Sequence, residues 1–146
     1  MKKKRIVLVL QQTYQSELTM DTPMYSRHCL KGNYHYETLQ ITVDQNGSYI
    51  FNANSSIMLY GYIYQYDFDP FSISKNIIKE SNSECCNTFA FGIYLQMNIT
   101  YILLITTYEP SIRGNFTVFV SGPKNITLNR IGIYSLEINR IILNIF

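Results

Sequence analysis

Thr100–Tyr108, TYILLITTY, and Gly114–Gly122, GNFTVFVSG, decide the fold. The first run is β-branched and aromatic and is apolar at odd and even positions alike. That is the pattern of a strand buried on both faces, at the centre of a sheet. Pro110–Gly114 breaks the chain. Phe116, Val118 and Val120 then recur at every second position, as in a regular strand, until Gly122-Pro123 ends it.

The same texture extends upstream. Phe89, Phe91, Ile93 and Leu95 alternate before a turn at Gln96–Asn98. Leu39, Ile41 and Val43 alternate with Thr38, Gln40 and Thr42. Gln45-Asn46-Gly47 follows and predicts a tight hairpin turn, because Asn-Gly supplies positive φ. Ser48–Ala53 is its second strand, and Asn54-Ser55-Ser56 the next turn. Met58–Gln65 puts Tyr60, Tyr62 and Tyr64 on one face and Leu59, Gly61 and Ile63 on the other. Ile73–Lys79 fits a short strand or a helical turn, and Ser81–Asn87 a loop. No amphipathic helix appears. Short strands at regular spacing with turns between them predict an all-β antiparallel sandwich or barrel.

Residues 34–123 form the expected domain. Residues 1–33 lack a sustained period and read as a lead-in, a truncated signal or a linker. MKKKR followed by Ile6–Leu10 resembles the start of a secretory signal, but the apolar run is shorter than the ~7–15 residues of a working one. Residues 124–146 fit an extra strand, a helix, or residues outside the domain. The short apolar run and the unpatterned tail both fit a fragment or an imperfect gene model.

The 146 residues are only 15% charged, with a net charge of +2, so nothing global attracts nucleic acid. No apolar run approaches the ~20 residues that span a bilayer as a helix. Polarity comes instead from Asn, Ser, Thr and 13 tyrosines. Asn46, Asn54, Asn98, Asn115 and Asn125 each begin Asn-x-Ser/Thr, a glycosylation signal that requires an exposed site. Of the three cysteines, Cys85 and Cys86 are adjacent and poorly placed to bond each other. An oxidised chain would join Cys29 to Cys85 or Cys86, and a reduced one would keep three thiols. With His28 or His35 they make a poor zinc set.

YETLQITVDQNGSYIFNANSS, LYGYIYQYDFDPF, TYILLITTYEP and GNFTVFVSGP, in that order, resemble the bacterial pre-peptidase C-terminal (PPC) domain and related repeated extracellular domains of small invertebrates. The resemblance implies a jelly-roll-like β-sandwich of about eight strands, secreted and non-catalytic. It also implies glycan or matrix-protein binding, neighbouring copies of the same domain, and in some members calcium on acidic loops. Asp67, Asp69, Glu80 and Glu84 are the available carboxylates. Met58 and Ser81-Asn82-Ser83 stand where such domains often carry acids, so calcium is not expected.

No nucleophile elbow, zinc-protease motif or phosphate loop occurs. A Cys–His nucleophile would need Cys29 or Cys86 to meet His35. The expectation is a non-enzymatic extracellular adhesion or accessory module without cofactor. Its ligand would stack on Tyr60, Tyr62 and Tyr64 if that face is open. A structural spacer and, last, a small secreted hydrolase are the alternatives.

Overall fold

The structure is a computed structural model that describes residues 10–27, 31–81 and 88–131. Among these residues there is no helix, and eleven strands run in chain order. They are β1 (Leu10–Leu18), β2 (Met24–Arg27), β3 (Lys31–His35), β4 (Glu37–Val43), β5 (Gly47–Ser55) and β6 (Leu59–Gln65). β7 (Ile77–Glu80), β8 (Thr88–Leu95), β9 (Tyr101–Thr107), β10 (Gly114–Gly122) and β11 (Ile126–Arg130) complete the set.

Two antiparallel sheets face each other. One has the order β1-β10-β5-β8 and the other β11-β4-β9-β6-β7. Setting aside β2, β3 and β11, the remaining eight strands pair first with eighth, eighth with third and third with sixth in one sheet. In the other they pair second with seventh, seventh with fourth and fourth with fifth. That is jelly-roll order. β11 extends the second sheet beyond β4, and β2 and β3 pair with each other.

Period-2 alternation builds the core. Phe51, Phe89, Phe91 and Val118 of one sheet meet Leu39, Ile41, Leu59, Ile63 and Leu103 of the other. Two glycines let the layers close. A Cβ at Gly61 would lie 2.9 Å from Phe89 Cζ, and one at Gly122 would run into the Tyr49 ring. β9 is buried along its whole length and central in its sheet.

Two sequence expectations change. β4 and β5 are not a hairpin: they lie in different sheets, and Asp44–Asn46 arches between the layers. Neither Asn46 nor Gly47 has positive φ. Asn46 Oδ1 instead accepts the Met97 N–H (2.7 Å), and Gly47 makes room for Pro123, whose Cγ would lie 2.9 Å from a Cβ there.

The expected lead-in holds β1 and β2, and β1 pairs with β10 over its full length. Its period was hidden because two inward residues are polar. The Gln12 amide donates to the Ile126 carbonyl (2.8 Å) and accepts the Ile126 N–H (2.9 Å). Ser16 Oγ donates to buried Glu37 (2.6 Å), which also meets Arg130 Nε at 3.2 Å. Both contacts tie the two sheets along one side. In the tail, β11 is the extra strand that the sequence offered as one alternative, and residues 132–146 lie outside the described residues.

Candidate functional site

The tyrosine stripe sits where the alternation of β6 puts it, facing outward from the five-stranded sheet. It is covered there. β2 and β3 fold over it with Tyr25 and Tyr34, and Tyr36, Phe68 and Ile73 close the gaps. Tyr64 is 1% exposed, and its hydroxyl donates to the Ile73 carbonyl (2.8 Å). Tyr62 is 9% exposed, and only Tyr60 is half-buried, at the rim beside exposed Tyr108. The rings meet edge to face or tilted, with centroids 4.9–6.4 Å apart, which is the packing of a second core.

Arg27 is the unexpected member of this cluster. It is buried, and its guanidinium lies 3.8 Å from the Tyr34 ring centroid and 5.5 Å from that of Tyr60. Nη2 donates to the carbonyls of Thr107 (2.5 Å) and Tyr108 (3.1 Å), so π faces and carbonyl dipoles hold the cation. Burial pushes the phenols of Tyr25, Tyr62 and Tyr64 up, against the pull of Arg27, so they stay neutral. The expected stacking platform is therefore closed at Tyr62 and Tyr64.

The outer face of the four-stranded sheet is different. Strand alternation turns Gln11, Thr13, Gln15 and Glu17 of β1 outward, with Asn115, Thr117, Phe119 and Ser121 beside them on β10. Ser48, Ile50, Asn52 and Asn54 of β5 and Ala90, Gly92 and Tyr94 of β8 continue the rows. Thr13, Phe119, Asn52 and Ala90 form one cross-sheet row. Among these outward residues Glu17 alone is charged, and it stands at one end. Ile50 is 50% and Tyr94 57% exposed. An open depression of about 370 Å³ lies between Gln11, Asn52, Asn54, Ala90 and Phe119.

This face offers planar amides with paired donors and acceptors, hydroxyls, and apolar rings beside them. Among the described residues it carries no buried titratable pair. Its signal in the sequence is the polar half of each alternating strand. In β5 and β10 that half is legible, but nothing in one strand tells which sheet face stays open.

The five glycosylation-signal asparagines are all exposed. Asn46, Asn98 and Asn125 lie in the turns at one end of the sandwich. Asn54 and Asn115 lie together at the other end, where Ser55 Oγ donates to the Asn115 carbonyl.

The acidic candidates do not converge. Asp67 Oδ1 accepts the Phe68 N–H (2.8 Å), Asp69 Oδ1 accepts the Phe71 N–H (2.9 Å), and Glu80 is exposed on β7. Among the described residues no three His, Cys, Asp or Glu side chains group to hold a metal ion. Glu84, His28, Cys29, Cys85 and Cys86 lie outside the described residues, and the disulfide expectation with them. His35 is buried, with Nδ1 3.1 Å from the Thr22 carbonyl oxygen, to which it donates. Among the described residues no helix is long and apolar enough to cross a membrane.

No family model matches this chain, and no curated protein matches it.

Proposed function

We propose that this chain is a non-catalytic extracellular binding module that holds a neutral glycan on the outer face of its four-stranded sheet. The observation that carries the reading is the makeup of that face: amides and hydroxyls around exposed Ile50 and Tyr94 and half-buried Phe119, with a single charge at its margin. Sugars present paired hydroxyls on one edge and C–H groups on the ring face. Asn and Gln amides suit the first and aromatic rings the second. The resemblance to pre-peptidase C-terminal domains supports the same class of role.

The five exposed sequons support a secretory route. Glycans carried at Asn54 or Asn115 would cover one end of the face, so recognition centres on Asn52, Phe119 and Tyr94.

A neutral-glycan array probed with the chain in glycosylated and unglycosylated form tests this. Binding that falls at least about tenfold in Asn52→Ala and in Tyr94→Ala is expected. No signal on any glycan, or binding indifferent to both substitutions, would overturn it and favour the spacer reading.

A further inference from the structure

The sheet edges of this sandwich are not alike. β7 has four residues, carries Lys79 and Glu80, and slips register opposite Ile63/Tyr64. β11 has five residues and ends on Arg130. β1 is long but carries the charge of Glu17. These are the devices that keep edge strands from pairing with other chains. β8 has none of them. Its eight residues, TFAFGIYL, hold no charge and no proline, and its register against β5 is unbroken. Among the described residues no backbone group pairs with its outer edge.

We propose that a second copy of this chain pairs there. Two β8 strands would run antiparallel about a two-fold axis, joining two four-stranded sheets into one. The sequence of β8 favours its own copy over an unrelated peptide. With Gly92 opposite the partner's Gly92, Phe91 faces the partner's Ile93 and Phe89 faces the partner's Leu95. Aromatic against branched aliphatic is a favoured cross-strand pair. On the outer side the small Ala90 meets the large Tyr94 of the partner subunit. Interior-facing residues thus oppose interior-facing ones, and a slip of one residue would mix the two faces. No like charges meet, because the strand has none. The pairing does not rest on glycan recognition. It would set two outer faces side by side, with a Tyr94 on each side of the seam.

Gly92 provides the test. Its φ is not positive, and a Cβ there would meet only the Tyr49 carbonyl oxygen, at 3.9 Å, so a side chain has room without harm to the fold. Sedimentation velocity on the full chain, over a roughly hundredfold range of concentration, should show a dimer. Gly92→Lys and Gly92→Glu should each weaken it about tenfold or more, by opposing like charges at the axis. Mixing the two variants should restore a mixed dimer. Amide exchange of wild-type β8 should quicken on dilution while β5 stays protected, a readout that requires no variant to fold. A monomer at every concentration would overturn the proposal. So would undiminished dimers in both variants, failure of the mixture to associate, or β8 exchange indifferent to dilution.

Discussion

The outer faces of the two sheets have opposite fates. On the five-stranded sheet the outward residues are Tyr62, Tyr64, Ile102 and Leu104, and the chain spends β2, β3 and the 66–76 loop to cover them. On the four-stranded sheet the outward residues are Gln, Asn, Thr and Ser with a few isolated rings, and among the described residues no strand lies over them. Alternation fixes the side on which a residue lies. Whether that side is open depends on the whole outward set. Strands such as β6 and β9, apolar on both faces, oblige the chain to supply a second layer.

The contrast can be broken most forcefully at the shared core. Phe89 is fully buried, lies above Gly61 and stacks on Phe91 with centroids 5.7 Å apart. Phe89→Ala should cost about 3–5 kcal/mol in urea unfolding, because both sheets lose the same filler. A smaller and local effect is expected in the tyrosine layer. Tyr25→Ala should cost about 2–3 kcal/mol and speed amide exchange in β2 and β3, while β9 and β5 keep their protection. Uniform loss of protection would mean that the layer is one cooperative unit with the sandwich.

Alkali should also act on the covered side first. Burial holds Tyr25 and Tyr64 above the ordinary phenol value of about 10. Tyr14, at the clamped side, is pushed up to about 12 by burial and then by the Glu37 carboxylate. Unfolded tyrosines release their protons near pH 10, while these folded ones keep theirs. The unfolded chain then binds fewer protons, so stability falls as pH rises from about 10 toward the folded values. Below pH 9 these groups contribute no slope. The part of the phenolate absorbance that comes from these buried rings should therefore rise together with loss of the circular-dichroism signal. Complete ionisation in a chain that stays folded would contradict the burial of the layer.

Much of the architecture was legible in the sequence. β6, β8 and β10 announce themselves by period, and β9, with its central place, by the lack of one. β1 escaped notice because Gln12 and Ser16 face inward as clamps rather than as filler. β2 and β3 are too short to show a period, and their apolar residues matter only once the tyrosine face they cover is known. Asn-Gly marked a turn correctly but not its partner strand, since a turn residue says nothing of which sheet follows. The tyrosine stripe was legible as one face of β6, but not which side of the sheet that face takes. Its cover comes from residues some thirty-five positions away, around Tyr25, and no local pattern carries that. For the same reason the open face was visible only as the polar halves of β5 and β10.

The smallest expected stability effect carries the most functional weight. Tyr94 is more than half exposed and makes no ring contact among the described residues. Ile50 beside it is equally open, and neither supports the core. Tyr94→Ala and Ile50→Thr should each shift unfolding by no more than about 0.5 kcal/mol, the usual range for surface positions without partners. Tyr64→Ala, the equivalent truncation on the covered sheet, should cost several times more. If Tyr94→Ala also abolishes glycan binding, stability and recognition separate cleanly, one on each sheet's outer face. If it destabilises the chain by ~2 kcal/mol or more, something covers Tyr94 as β2 and β3 cover Tyr64, and that cost should then depend on protein concentration if the cover is a second copy paired along β8.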